Sequence, residues 1–251
     1  MLEFKEKTVM VTGAGGAIGK ELCRQFAKAG ADIVLLDVSE EKAKEAAEIV
    51  ESIGRKAMTG VCDIRDSKRI REIVTDAQEQ LGGVDILVNN AGGAAGMIGK
   101  LSRFVEAEEE TLRYIVGINL MGTMYCTQAV LPGMIEKGYG KIINMASIAG
   151  VCGIIDRVDY TAAKGGIIAM TKALAMEVGE YNICVNAISP GNIMRDGSVR
   201  YGGTYIGPQG RSGLPTDIAN MALFLASAKA DYITGQNYCV DGGRYLGPKS
   251  K

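Results

Sequence analysis

The sequence predicts an α/β fold, a single parallel sheet covered by helices on both faces, on three observations. Short apolar runs alternate with stretches of helical period along the whole chain. The runs are rich in Val and Ile and apolar on both faces, as strands are when helices cover both sides of the sheet. A glycine-rich turn joins the first run to the first helical stretch. With 251 residues, 47% of them apolar and 23% charged, the chain is expected to make a single globular domain of three layers with a large core.

Taken in order, the pattern gives a strand at Thr8–Thr12, a helix at Ile18–Ala29, a strand at Asp32–Asp37 and a helix at Glu40–Ile53. It continues with a strand at Lys56–Cys62, a helix at Lys68–Leu81, a strand at Ile86–Asn89, a helical region over Glu108–Lys137 and a strand at Lys141–Met145. A helix at Tyr160–Tyr181, a strand at Cys184–Ser189, a helix at Thr216–Leu225 and a strand at Tyr238–Val240 complete it. The long stretch from Gly191 to Leu214 is rich in Gly and polar residues and has little period, which in a compact domain reads as a lid or binding loop.

Composition narrows the function. Lys and Arg total 28 against 29 Asp and Glu, so no basic footprint for nucleic acid or an anionic membrane is present, and a small-molecule partner is expected. The apolar runs are strand-sized and no export signal is read at the start, so a cytoplasmic home is expected. The six cysteines, Cys23, Cys62, Cys126, Cys152, Cys184 and Cys239, are scattered and read as free thiols rather than a disulfide frame or metal site. Histidine is absent, which removes Ser-His-Asp and Cys-His chemistry and leaves acid–base work to Tyr, Lys, Asp, Glu or Cys. No metal is expected.

The turn Thr12-Gly13-Ala14-Gly15-Gly16-Ala17-Ile18-Gly19 follows the first strand and opens into a helix. Glycine there permits a tight turn, lets a diphosphate approach backbone N–H groups and packs helix on strand; the alternative is simple punctuation. The second strand ends at Asp37, placed to accept hydrogen bonds from an adenosine ribose diol, and Val38-Ser39 follow with no cation to receive a 2′-phosphate. NAD is therefore expected over NADP; the alternative for Asp37 is a helix cap or turn. Asp63, closing the third strand, and Asn89-Asn90-Ala91-Gly92, after the fourth, also fall at carboxyl ends of strands, where ligands bind in open parallel sheets. A turn cap and an Asn-Gly loop are their plainer readings.

Tyr160 and Lys164 stand four apart near a helix start, hence on one face. A phenol of pKa about 10 is ionised to roughly one part in a thousand at pH 7, so using it as a base costs about 4 kcal/mol. A neighbouring ammonium reduces that cost. Such a pair also occurs by chance. Ser147, at the end of the preceding strand, can hydrogen-bond a substrate oxygen, and Asn119 is a polar residue among apolar ones, whose plain reading is a buried amide bonded to backbone.

From Thr12 to Gly243 the chain resembles the short-chain dehydrogenase/reductase family in its compact branch. The glycine turn matches TGxxxGxG, Asn89–Gly92 match NNAG, and Asn119, Ser147, Tyr160 and Lys164 fall in order on the family's tetrad. Pro190-Gly191, Gly210–Pro215 leading into Asp217-Ile218-Ala219, Thr234-Gly235 and Asp241-Gly242-Gly243 are similar to further family landmarks. The resemblance implies a doubly wound Rossmann sheet and hydride transfer between nicotinamide and a secondary alcohol or ketone. Tyr160 would exchange the proton, Ser147 would hold the substrate oxygen, Lys164 would bind the nicotinamide ribose and assist Tyr160, and Asn119 would anchor a relay water. Gly13, Gly16, Ala17, Ile18 and Gly19 would cradle the diphosphate, and Asp63 and Ile64 would flank the adenine. Asn90, Ala91 and Gly92 would lie along the cofactor; Pro190, Gly191 and the backbone of Ile193 would meet its carboxamide end. A homotetramer is implied. Ala17 stands at the family's middle glycine, which puts more weight on Gly13 and Gly19 than on Gly16, and Arg195 stands where relatives carry a cofactor-touching threonine.

The substrate pocket is expected to be lined by the stretch after Gly92, by Ile148–Ile155, by Asp156 and Arg157, and by a lid carrying Arg195, Asp196, Arg200, Tyr201, Tyr205 and Arg211. Those arginines suit a polyol, sugar acid or other polar substrate, unless they simply face water; a hydroxysteroid-like substrate stays open. The competing enzyme is a 3-oxoacyl thioester reductase, which usually takes NADPH. A catalytically silent NAD-binding sensor is the competing reading from another class.

Overall fold

The computed structural model describes residues 3–100, 103–194, 196, 198–201 and 207–247. Seven strands lie in one sheet, β1 (Thr8–Thr12), β2 (Asp32–Asp37), β3 (Ala57–Val61), β4 (Ile86–Asn89), β5 (Gly140–Met145), β6 (Ile183–Pro190) and β7 (Asn237–Val240). Their order is β3-β2-β1-β4-β5-β6-β7, and every pairing is parallel. The winding reverses between β1 and β4, so the crevice at the carboxyl ends of those two strands is where a ligand has room to bind.

Alternation along each strand feeds two cores. Val9, Val11, Ile33 and Leu35 face α1 (Ala17–Lys28), α2 (Glu40–Ser52) and α8 (Pro215–Ala226), through Leu22, Phe26, Ala46, Val50 and Ile218. Met10, Val34 and Leu36 face the other way, onto α3 (Ser67–Leu81), α5 (Gly122–Lys137) and α7 (Val158–Val178), through Ile70, Ile73, Val130, Met134 and Val178. Because both faces are dry, the strands carry apolar residues in both registers.

The expected elements are present with ends shifted by up to three residues, the helix expected to reach Tyr181 closing at Val178 with a 3-10 turn at Gly179–Tyr181, and one differs in kind. The helical region over 108–137 is broken: α4 (Glu109–Val116) runs into a π-helical turn at Gly117–Met121 before α5 begins. The cause lies in Asn119, whose side-chain Nδ2 donates to the Ile115 carbonyl at 2.9 Å. That carbonyl would otherwise take the Asn119 backbone N–H, so the ladder opens by one residue. The stretch after Ser147 also contains a single-turn helix, α6 (Ala149–Cys152), which apolar period alone does not announce.

β1 is tied to the loop after β4 by side chains. Thr12 Oγ1 accepts from the backbone N–H groups of Asn90 and Ala91, both at 2.9 Å, and Asn90 Nδ2 donates back to the carbonyls of Thr12 and Gly13 at 3.0 and 3.1 Å. Gly13 has φ +63°, and a Cβ there would lie 2.9 Å from Ala91 Cα. Gly13→Ala is therefore expected to lower stability by at least about 1 kcal/mol from the left-handed backbone alone, read as a lower urea midpoint at unchanged slope.

Candidate active site

The carboxyl edge of the sheet gathers most of the residues singled out in the sequence. At the start of α1, Gly16 is the extended N-cap residue, with no side-chain cap and no acidic residue in the first turn. The first-turn N–H groups and the positive end of the helix dipole are thus left for an anion. A Cβ at Gly19 would sit 2.8 Å from Ala14 Cα, whereas one at Gly16 would meet Gly13 O at an ordinary 3.4 Å. Geometry demands glycine at 13 and 19 and not at 16, and Ala17 begins the helix without difficulty.

Asp37 closes β2 with Oδ2 accepting from Gly15 N at 2.9 Å and Oδ1 from Ser39 N at 3.0 Å. It is a turn residue in part, but the cap of α2 is Ser39, whose Oγ accepts from Lys42 N. These backbone bonds fix the carboxylate beside the glycine turn. Such a cradle fits a dinucleotide, with diphosphate at the helix N-terminus and ribose diol at Asp37.

Asp63 is engaged more tightly than the sequence suggests. Its two oxygens accept from the Arg65 guanidinium at 2.6–3.1 Å, and Arg65 lies over the Tyr114 ring, 4.6 Å from its centroid. The Arg65 guanidinium beside Asp63 holds that carboxyl below its ordinary range. Ile64 is buried against Gly122 of α5.

On the other side of the reversal, Gly92 (φ +146°) is flanked by Asn119 and Lys164; a Cβ at that position would run into Asn119 Oδ1 and touch Lys164 Nζ at an ordinary 3.5 Å. Asn119 is fully buried; its Nδ2 donates to the carbonyls of Gly93 and Ile115, and its Oδ1 accepts from Gly93 N at 3.1 Å. Its amide is thus bonded to backbone, as its plain reading has it, and pins the loop after β4 to the π turn. Lys164 is 4% exposed and donates from Nζ to the Met145 carbonyl at 2.6 Å. Burial drives its ammonium down to about 7. The same Nζ lies 5.7 Å from the centre of the Tyr160 ring, one turn earlier on α7. Ser147, two residues past Met145, is nearly buried, and its Oγ accepts from Ala149 N at 3.1 Å. That bond orients the hydroxyl oxygen at the start of α6.

Pro190 ends β6, Gly191 N bonds to Val240 O at 3.0 Å, and Ile193 makes a parallel bridge to Gly213. Arg195 and Tyr205 lie outside the described residues. Of the remaining lid arginines, Arg211 is held by Asp217 in a two-pronged pair at 2.8 and 3.1 Å, and Arg200 pairs with Asp196 at 3.5 Å. Asp217 in turn accepts from Leu214 N, so Arg211 is tied to the start of α8. Beside the start of α7, Ala95, Lys100, Phe104, Thr111, Asp156 and Asp159 line a small depression. Sequence reading missed Thr12, Arg65 and the Arg211–Asp217 pair; for Thr12 a hydroxyl closing the first strand was the available signal. The six cysteines are free, and no His, Cys, Asp and Glu cluster suited to a metal occurs among the described residues. No described helix is long and apolar enough to cross a membrane.

A sheet wound in this way, opening at its reversal on an anion-ready glycine turn, places the chain among doubly wound dinucleotide-binding proteins. The comparisons narrow the class. The family model described as enoyl-(acyl carrier protein) reductase matches residues 13–244. A 3-oxoacyl-[acyl-carrier-protein] reductase of Thermotoga maritima is 34% identical over 248 residues, covering 96% of this chain and 99% of its own. An NAD-dependent glycerol dehydrogenase of Listeria innocua is 37% identical, covering 95% and 93% respectively. The crystal structure of a 3-oxoacyl-[acyl-carrier protein] reductase from Brucella melitensis, with bound NAD, superposes with TM-score 0.88 at 31% identity, over 97% of this chain and 93% of that one. The chain belongs to the short-chain dehydrogenase/reductase family, oxidoreductases that act on alcohol and ketone groups with NAD(P).

Burial of Lys164 has a measurable sign. Its folded-state pKa lies below the unfolded value, so the cost of holding the ammonium is present in full below about pH 7 and is relieved as pH rises from there toward 10.5. Lys164→Met is expected to raise the thermal midpoint at pH 6 by at least about 5 °C, with the gain shrinking toward nothing near pH 10, as followed by circular dichroism.

Proposed function

We propose that this protein is an NAD-dependent oxidoreductase that interconverts a secondary alcohol and its ketone, with Tyr160 as the proton-exchanging residue. The observation that carries the reading is the placement of Lys164: its Nζ lies beside the Tyr160 ring, bonds Met145 two residues before Ser147, and flanks Gly92 together with Asn119.

The diphosphate of NAD would be held by the backbone at Gly13, Gly16, Ala17, Ile18 and Gly19, its adenosine ribose by Asp37, its adenine edge by Asp63 and Ile64. Asn90, Ala91 and Gly92 would line its path; Tyr160 and Lys164 would hold the nicotinamide ribose, and Pro190, Gly191 and Ile193 the carboxamide. Bound there, NAD supplies the hydride acceptor for oxidation and, when reduced, the donor for reduction. Ser147 donates to the substrate oxygen and fixes its position. Tyr160 takes the carbinol proton as phenolate or returns it as phenol. Lys164 makes that possible because the two opposite charges then lie side by side: the buried ammonium is costly alone, and a neighbouring phenolate offsets the cost for both. Asn119 holds Gly93 and the π turn, and so the distance between the loop after β4 and α7; in this proposal it also orders a water leading away from Lys164.

Asp37, with no cation immediately after it, favours NAD over NADP, since its carboxylate would face a 2′-phosphate. The glycerol dehydrogenase relative supports a polyol or similar hydroxylated substrate. With Arg211 committed to Asp217, a sugar acid draws less support from the lid than its composition suggests. A second reading, 3-oxoacyl thioester reductase, is favoured by the Thermotoga and Brucella relatives, the latter carrying NAD. A homotetramer in the cytoplasm accords with the family and with six unbridged thiols.

Side-by-side fluorescence titration is expected to show NADH bound at least about tenfold more tightly than NADPH, about 1.4 kcal/mol; equal or reversed affinities would overturn the role of Asp37. Tyr160→Phe should leave NADH affinity within about threefold, under 1 kcal/mol, while abolishing turnover of whichever polyol or oxoacyl thioester the native protein accepts. Activity surviving that change would contradict the mechanism. Cofactor binding without turnover across a broad alcohol and ketone panel would support the silent sensor instead.

A further inference from the structure

Far from the catalytic edge, a buried amine touches a thiol. Lys141 and Cys184 are register partners near the starts of β5 and β6, at the opposite edge of the sheet from Tyr160. Lys141 Nζ donates to Cys184 Sγ at 3.4 Å. The lysine side chain is 2% exposed and the cysteine 7%. The other partner of the amine is Asp231 Oδ1, at 2.6 Å, and that carboxylate is 60% exposed, so the pair is linked to solvent through it. The thiol in turn donates to the Asp231 carbonyl at 3.4 Å. A buried ammonium is costly, and an apolar residue would fill the same space without that cost. Neither Lys141 nor Cys184 has a part in the chemistry proposed above.

We propose that Lys141 and Cys184 form a reversible modification site for hydroperoxides, in which the oxidised cysteine is captured by the lysine amine as a sulfenamide. In the first step hydrogen peroxide, or an organic hydroperoxide, takes two electrons from sulfur. The S–H and O–O bonds break, an S–O bond forms, and water or the corresponding alcohol leaves, giving sulfenic acid at Cys184. In the second step Lys141 releases one proton to the Asp231 carboxylate and its nitrogen attacks the sulfur. The N–S bond forms as the S–O bond breaks, and the departing hydroxide takes another nitrogen proton and leaves as water. No further oxidant is consumed. A sulfenic acid condenses with a backbone nitrogen to a sulfenamide by the same bond changes, a reversible state that stands before the irreversible sulfinic acid. A thiol reductant reverses the link by attacking sulfur and releasing the amine. The link would discharge the buried cation and leave Asp231 unpaired at the turn before β7.

The other cysteines are placed differently. Burial pushes the thiols of Cys23 and Cys126 up to about 12 and that of Cys62 up to about 11, and it raises Cys239 as well, so these four are poor nucleophiles toward peroxide. Cys152 is exposed, and its thiol donates to the Ile148 and Gly153 carbonyls, which offer no amine.

The test is peptide mapping by mass spectrometry of the full-length protein after exposure to hydrogen peroxide, with free thiols alkylated before digestion. The expected product joins the segments containing Lys141 and Cys184, is lighter than their sum by two hydrogens, and separates on treatment with dithiothreitol. In Lys141→Arg, which keeps the cation, the link should be lost and Cys184 should proceed to sulfinic acid. A Cys184 left as a thiol while Cys152 is oxidised would overturn the proposal, as would a wild-type Cys184 that gains oxygen with Lys141 unlinked. The readout is independent of cofactor or substrate, so it stands apart from the assignment of Tyr160.

Discussion

An ammonium group shut away from water, with a backbone carbonyl for its partner, is costly to hold, and much of the carboxyl edge is arranged around it. Lys164 has the Met145 carbonyl at 2.6 Å as its partner and almost no solvent, and burial alone draws its proton affinity down to about 7. A charge in that position is stabilised mainly by an opposite charge formed nearby. Tyr160, one helical turn away, is the group that can supply one, so the discomfort of the lysine and the reluctance of the phenol to ionise are relieved by the same event.

Holding those groups in register is the task of the sheet. Met145 and Ser147 come from the end of β5, Gly92 and Gly93 from the end of β4, and Lys164 and Tyr160 from α7, which packs behind them. Asn119 joins two of these parts by bonding Gly93 on both its N–H and carbonyl, and it opens a π turn in doing so. Thr12 and Asn90 perform the same service between β1 and β4, locking the glycine turn to the loop that bears Gly92. The glycine turn and the Tyr160–Lys164 pair are thereby tied into one edge of the sheet.

How much of this was legible in the sequence depended on the range of the interaction. Strands such as Asp32–Asp37 and Ile86–Asn89 were readable because burial on both faces leaves an uninterrupted apolar run. The glycine turn, Asp37 and the Tyr160–Lys164 spacing were readable because their geometry is local. What escaped was set by contacts between distant or competing groups. Apolar period runs smoothly through 108–137, yet the helix breaks because one amide takes one carbonyl. Asp63 looked available until Arg65, held over Tyr114, was seen to clasp it, and Arg211 looked like a substrate group although six residues later Asp217 claims it. Lys141 read as a strand residue; only the pairing of β5 with β6 sets its amine against a thiol.

The central claim is that the Lys164 cation sets the ease with which Tyr160 gives up its proton. The pH dependence of kcat/KM for alcohol oxidation, compared between the native protein and Lys164→Met, tests it most directly. Loss of the cation should move the rising limb of the profile to higher pH by at least about one unit, the equivalent of about 1.4 kcal/mol of lost phenolate stabilisation. Limbs that coincide, with the variant merely slower at every pH, would contradict the account and reduce Lys164 to a residue that holds the cofactor.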